Sequence, residues 1–451
     1  MRHILLYRLI LIGFIASIAA GCSKKLDTKP TISIDQQDAL KTSSDVKVAL
    51  VGAYADLGVS DFYGGRVFVA PDLLGDFNEL NWSGTYQGMT QIKNKAIPVD
   101  NGFVTSTWEG GYRAINDVNN VLGALSVVDD NNKSRVEGES KFIRGAALFD
   151  LVRVFARAWD DGDPSSNPGV PIVLTPTTGI DKSNLVKRNT IAEVYAQVIT
   201  DLTDAEAKLP EDNGFFATKA AASALLARVY LQKGDFENAA KEADAAITSA
   251  TSNNIALANK YANAFPFAAG NSVEDIFAMQ VTSSSGFNGF QEFYSSLGRG
   301  DIQIKDAHLA LYEQGDDRLN LFYESGGSIY TGKFDYVYGN VHIIRLAELY
   351  LIRAEANFRL NTSVGAFPAD DINRIRERAG LPDYSAEELT LAKILKERKL
   401  ELAFEGFTLH DIKRLKGNVG SLAWNSPKLV YPIPLREIRV NPNLTQNEGY
   451  K

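Results

Sequence analysis

The stretch ATKAAASALLARVYLQKGDFENAAKEADAAI, residues 217–247, restricts the fold more than any other part of the chain. Apolar and small residues recur at steps of three and four on both sides of Gly234, the spacing that gathers them on one helix face. Leu226, Ala227 and Tyr230 share a face of the first predicted helix, and Phe236, Ala239, Ala243 and Ala246 share a face of the second. Alanines at 227, 239 and 246 let two helix axes approach closely, with Tyr230 and Phe236 filling the wider gaps. Gly234 supplies the turn. One such pair cannot cover both of its own faces, so a chain that contains it needs further helices to stack against it.

The pattern is that of a tetratricopeptide-type repeat, and weaker copies follow. LAELYLIRAEANFRL (346–360) with PADDINRIRERAG (368–380) reads as a second pair. The segments 105–125 and 139–159 predict an antiparallel pair, with Phe142, Ala146, Phe149 and Val152 or Arg153 in helical rhythm. Residues 190–210 predict a helix opened by a Thr190–Glu193 capping box and closed by Pro210. Ser44 and Gly58 bracket a helix over 43–58, and 390–417 predicts a long helix ending near Gly406 with a short one after it. Between these, 59–104 and 251–340 are rich in Gly, Asn, Ser and aromatics without a sustained period, and read as loops and short strands, DIFAMQVT being one strand. The tail 418–451 shows no helical period; Pro432 and Pro434 restrict it, and Asn441-Pro442 marks a turn. The expected fold is mostly α: divergent helix pairs (about 43–58, 105–250 and 341–417) packed with a loop-rich region containing short strands, in a single domain over 43–451.

The N-terminus reads as a processing signal. Arg2 and Arg8 precede an uncharged apolar run from Leu9 to Ala20, shorter than the ~20 residues a membrane-spanning helix needs. Ala19-Ala20-Gly21 then leads into Cys22, the only cysteine in 451 residues. That arrangement is a lipobox: residues 1–21 are a signal peptide, Cys22 is lipidated, and 22–42 is a polar tether holding a soluble body at a membrane. Removal of 1–21 takes the formal charge from −8 to −10. An acidic body without a basic stripe excludes nucleic acid as a partner.

Sugars present apolar C–H faces to flat aromatic rings and hydroxyls to polar side chains, so a sugar site needs exposed aromatics on loops with polar neighbours. DFNELNWSGTYQ (76–87) offers Asp76, Asn78, Asn81, Trp82 and Tyr86, and GFNGFQEFYSSLGRG (286–300) offers Phe287, Phe290, Tyr294 and Arg299. The competing reading is that these rings pack the loops onto the scaffold. Glu397, Glu401 and Glu405 share a helix face; a carboxylate pair suggests glycoside hydrolysis, but carboxylates at i, i+4 point the same way instead of flanking a substrate. Arg345 and Arg353 are their expected ion-pair partners. His308, His342 and His410 are isolated, and Asp160, Asp161 and Asp163 do not fit an EF-hand loop. Gly64-Gly65 and Gly110-Gly111 lack the lysine of a phosphate loop. No cofactor or metal is expected.

Taken together, CSKKLDTKP, ESKFIRGAALFDLVRVFA, GVPIVL, TIAEVYAQVITDLTDAEAKLP, the 217–243 stretch, RLAELYLIRAEA, INRIRERAGLP, ERKLELAFEGFTLHDIKRL and YPIPLREIRVNPNLTQNEGY resemble, in order and spacing, the SusD/RagB family of outer-membrane nutrient-uptake lipoproteins of Bacteroidetes. The resemblance implies four tetratricopeptide-like helix pairs supporting an irregular region, with ligand contacts in loops near the two stations above. It also implies a surface-exposed, non-enzymatic lipoprotein that binds a glycan, or in some members a peptide, and serves a SusC-like TonB-dependent transporter. A peptide- or protein-binding helical scaffold and a surface glycoside hydrolase are the alternatives.

Overall fold

Thr42 opens the first helix by accepting from the Asp45 N–H while Asp45 reaches back to the Thr42 backbone, a capping box placed two residues before the expected Ser44 cap. The computed structural model describes residues 40–451 except 178, 180 and 181. Cys22, the signal segment and the tether up to residue 39 lie outside the described residues. Residues 42–451 form one compact unit.

The helices are α1 (Ser43–Leu57), α2 (Arg66–Gly75), α3 (Gln87–Lys93), α4 (Gly102–Gly123), α5 (Asp130–Phe155), α6 (Ile191–Lys208), α7 (Lys219–Lys233), α8 (Phe236–Ser252), α9 (Gly289–Tyr294), α10 (Asp306–Leu309), α11 (Leu346–Leu360), α12 (Pro368–Arg378), α13 (Leu391–Glu401), α14 (Thr408–Arg414) and α15 (Leu435–Val440). The strands are β1 (Leu80–Trp82), β2 (Asp275–Met279), β3 (Ile302–Ile304), β4 (Phe322–Ser325), β5 (Ser328–Thr331), β6 (Val341–Arg345), β7 (Asn418–Val419) and β8 (Leu422–Ala423). In the scaffold, α1, α4, α5, α6, α7, α8, α11 and α12 each pack on the next. The fold is the mostly helical one the sequence implies.

The 217–247 motif forms α7 and α8 joined at Gly234, whose φ of +76° is a left-handed turn conformation that costs glycine little. Ala227, Ala239, Ala243 and Ala246 are fully buried, as close helix contact requires. Tyr230 and Phe236 are only half-buried; Phe236 lies at the margin, under the Arg359 guanidinium of α11 at 4.8 Å. The Thr190–Glu193 capping box is present at the start of α6.

Three segments differ from expectation. Residues 59–104 hold α2 and α3 as well as loops. Val67 to Gly75 are buried without exception, Asp72 included, so α2 is hidden on all sides and shows no amphipathic period. The helix expected to reach Gly406 stops at Glu401, and the chain then turns through Phe404 (φ +67°) and Gly406 (φ +86°). The tail contains α15 between Pro434 and Asn441; none of its residues is buried, which removes the period that would mark it.

The loop-rich region is organised by an antiparallel sheet of order β1-β3-β5-β4, while β2 pairs with β6 beside the scaffold. β1 comes from the first loop segment and β3 from the second, with Asn81 opposite Gln303 and Trp82 opposite Ile302. One ladder thus joins stretches more than two hundred residues apart in sequence.

Candidate functional site

Close backbone approach sets the site's floor. The Gly289 N–H donates to the Gly64 carbonyl at 2.6 Å, and a Cβ on Gly65 would lie 2.8 Å from the Gly289 Cα. The Gly64-Gly65 pair therefore seats the start of α2 against α9, and Arg66 emerges beside the aromatic loops. Phe293 of α9 is fully buried. Trp82 packs on it at 6.0 Å and Tyr86 at 6.1 Å between ring centroids, so one hidden ring supports both half-buried ones.

Around Tyr86 the two predicted stations meet. The Arg299 guanidinium lies 4.1 Å from the centre of the Tyr86 ring, donates to Thr85 Oγ1 at 3.1 Å and is held by Asp301 at 2.7 Å. The Tyr86 hydroxyl donates to Glu292 Oε1 at 3.3 Å. Arg66 lies 5.0 Å from the Phe103 ring and 5.8 Å from the Phe287 ring, with Glu292 at 3.6 Å. Burial pushes the Glu292 carboxyl up, against the pull of Arg66. Arg66 Nε and Glu292 Oε2 are buried without a hydrogen-bond partner.

Trp82 donates its indole N–H to Thr90 Oγ1 at 2.8 Å, which fixes the ring. It borders an open groove of about 590 Å³, also lined by Phe77, Asn78, Asn81, Lys95 and Lys305. Asn81 is exposed and bonds Gln303 at 2.6 Å; Asn78, at φ +70°, accepts from Lys305 at 3.2 Å. Trp82, Asn81, Asn78, Tyr86, Phe287 and Arg299 thus stand at or near the surface, on adjoining loops.

Three expected contacts do not. Phe290 is 1% exposed and stacks on Phe334 at 4.7 Å, and Tyr294 is fully buried with its hydroxyl donating to Asp72 at 3.2 Å. Both belong to the packing between α9 and α2. The Asp76 carboxylate is buried, taken by the Glu79 and Leu80 N–H groups at 3.0 and 2.9 Å and by Lys93, so it shapes the turn into β1.

Sequence reasoning missed Arg66, Phe103 and Glu292. Glu292 carried a signal, as the lone carboxylate among the aromatics of 286–300; Arg66 and Phe103 carried none, since only the fold brings them to the site.

The expected acidic helix face is broken, because α13 ends at Glu401 and Glu405 lies in the turn beyond it, and the three carboxylates are structural. Arg345 bonds Glu274 at 2.8 Å, Glu401 at 3.2 Å and Glu405 at 2.8 Å, and Lys333 bonds Glu405 at 2.8 Å. Glu397 is held by Arg318 at 2.9 Å and Arg376 at 2.6 Å. Burial alone would raise the Glu401 carboxyl, but Arg378 and Arg345 hold it at about 2. Arg353, the other expected partner, pairs instead with Asp244 and Asp371, because α11 turns it towards α8 and α12.

The remaining candidates have local partners. His308 bonds Glu79 at 2.8 Å and His342 bonds Asp275 at 2.6 Å, while burial pulls the His410 imidazole well below its usual range. Asp160 pairs with Lys416 at 3.5 Å and Asp163 accepts from the Ser165 N–H at 2.9 Å. Among the described residues no cluster of His, Cys, Asp or Glu is arranged for a metal ion, and no helix is long and apolar enough to cross a membrane. A second cavity, of about 520 Å³, lies between α4 and α15, lined by Trp108, Tyr112, Leu185 and Val440 among others.

Comparison with known proteins gives the following. Residues 25–231 match a family described as starch-binding and associating with the outer membrane, and residues 330–428 match the SusD family. The SusD-like protein P2 of Formosa agariphila is 28% identical over 508 residues, covering 95% of this chain and 97% of that protein. The starch-binding protein SusD of Bacteroides thetaiotaomicron is 33% identical over 172 residues, 35% of this chain and 30% of that protein. A solved SusD superfamily structure from Bacteroides thetaiotaomicron superposes with a TM-score of 0.80 at 25% identity, covering 90% of this chain and 99% of that one.

Proposed function

The chain belongs to the SusD/RagB family, and from that premise we propose that it is a non-enzymatic, lipid-anchored protein that captures a glycan at the outer membrane. A SusC-like TonB-dependent transporter receives the ligand. Cys22 carries the anchor, the body faces the cell exterior, and the helical scaffold docks on the transporter.

One observation carries the glycan reading: Trp82 and Tyr86 stand on a shared buried ring, Phe293, with Arg299, Asn81 and Gln303 beside them. Rings fixed from below and reachable from above suit the C–H face of a sugar, and the amides and guanidinium suit its hydroxyls. Pre-fixed rings lose little rotamer entropy on binding. The family's description as starch-binding and the name of the SusD relative support the same ligand class. The match to a family associating with the outer membrane supports the location.

Affinity electrophoresis against a panel of polysaccharides tests this reading. The wild-type protein is retarded by at least one glycan, and Trp82→Ala and Tyr86→Ala each abolish most of the retardation while leaving the thermal midpoint near that of the wild type. Equal retardation of all three proteins would instead indicate that the rings only pack the loops. A peptide-binding scaffold would show no polysaccharide retardation at all.

A further inference from the structure

The groove beside Trp82 differs in charge from the rest of the molecule. The whole chain is acidic, at −8, yet Lys93, Lys95 and Lys305 converge on the groove walls. The one carboxylate lining it, Asp76, is 4% exposed and already bound to two backbone N–H groups and Lys93. Glu79, behind the groove, is held by His308 and Lys399.

The other two ammonium groups hydrogen-bond only to neutral acceptors. Lys95 Nζ donates to the carbonyls of Asp76 at 2.8 Å and Lys93 at 3.0 Å, and Lys305 Nζ donates to the Asn78 amide at 3.2 Å. Lys95 sits at φ +55° and Asn78 at φ +70°, left-handed conformations that are uncommon for lysine. Burial and the neighbouring Lys93 pull the Lys95 ammonium down to about 8, against the opposing pull of the Asp76 carboxylate. Asn78, Asn81 and Asn94 line the same walls and offer amides for hydroxyls.

We propose that this groove holds the anionic substituents, carboxylate or sulfate, of an acidic polysaccharide whose sugar ring lies on Trp82. The assignment rests on the glycan-capture reading and narrows it to a substrate class. An anion in the groove would pair with Lys95 and Lys305, which hydrogen-bond only to neutral acceptors of the chain, and would add to the single carboxylate, Asp76, that lines it. The chain's net negative charge would weaken non-specific attraction of such a polymer, so that local cations at the groove decide where it binds.

The test is a panel of carboxylated, sulfated and neutral polysaccharides, including polygalacturonate, carrageenan, starch and laminarin, bound to the full mature chain. Binding to an acidic member is expected, and it should fall at least tenfold between about 20 mM and about 500 mM salt. Lys305→Gln and Lys95→Gln should each weaken it about three- to tenfold. Lys305 contacts only an exposed amide, so its substitution leaves the fold intact if the Lys95 variant does not. The polygalacturonate and carrageenan arms distinguish carboxylate from sulfate. Binding confined to neutral glycans, indifferent to salt and to both substitutions, overturns the anionic assignment while glycan capture stands. Binding to no member of the panel overturns both.

Discussion

The helical scaffold and the loop-rich region are held together by different balances of helix packing and buried charge. In the scaffold, α8 lies between α7 and α11 through fully buried Ala239, Ala243 and Ala246, and the ion pairs Arg353–Asp244 and Arg228–Glu348 add to that close packing. The loop-rich region is fastened by buried ions: Arg318 and Lys333 from its own chain stretch bond Glu397 and Glu405 of the scaffold side, and Arg345, at the end of β6, gathers three carboxylates. The region also buries aromatics such as Phe290, Tyr294 and Phe334, with Tyr294 packed on Phe404. Directional charge pairs add a fixed orientation to that packing, while the buried Phe293 ring sets Trp82 and Tyr86 side by side.

The comparison can be broken most severely at Arg345. Arg345→Met leaves Glu274, Glu401 and Glu405 short of a cation in the interior, and a buried pair that loses one partner costs about 3–5 kcal/mol. Urea unfolding should show that loss. Ala243→Leu attacks the scaffold instead and forces the helix axes of α7, α8 and α11 apart, costing about 1–3 kcal/mol by the same measurement. The two variants should also differ in salt response, since only the first leaves uncompensated charge.

Acid separates the regions more gently. Because Glu401 is held at about 2 in the fold, its contribution is complete above the usual carboxylate range and is lost as pH falls towards 2. Thermal midpoints should therefore be insensitive to this network from neutral pH down to about 5 and decline below about 4. The smallest effect is expected in the scaffold at Asp117, whose carboxyl burial and the adjacent Asp56 push up to about 7. A raised carboxyl stabilises below its unfolded value and loses that contribution as pH rises through 7. Asp117→Asn should raise the thermal midpoint at pH 8, and the gain should shrink steadily as pH falls from 7 towards 4.

The same division explains what could be read in the sequence. Capping at Thr190–Glu193, the Gly234 turn and the alanine rows of α7 and α8 are local, so neighbouring residues state them outright. α2 is illegible because it is buried all round, and α15 because none of it is buried; each lacks the one-sided pattern on which a helix is recognised. At the site, loop composition pointed to Trp82, Tyr86 and Arg299, but it could not separate Phe287, half-exposed beside Arg66, from Phe290, sunk against Phe334. Three residues of one stretch divide that way because α9 turns Phe290 and Tyr294 inward. Arg66, Phe103 and the convergent lysines are products of β1–β3 pairing and of the Gly64–Gly289 contact, which no single segment encodes.

The most direct measurement is a crystal structure of the protein with an oligosaccharide cut from whichever polysaccharide it retains. The account predicts a sugar ring stacked on Trp82 or Tyr86, with Asn81, Arg299 or Lys305 within hydrogen-bond distance of its polar groups. A ligand seated instead in the cavity beside Trp108 and Val440, with the Trp82 face empty, would contradict it.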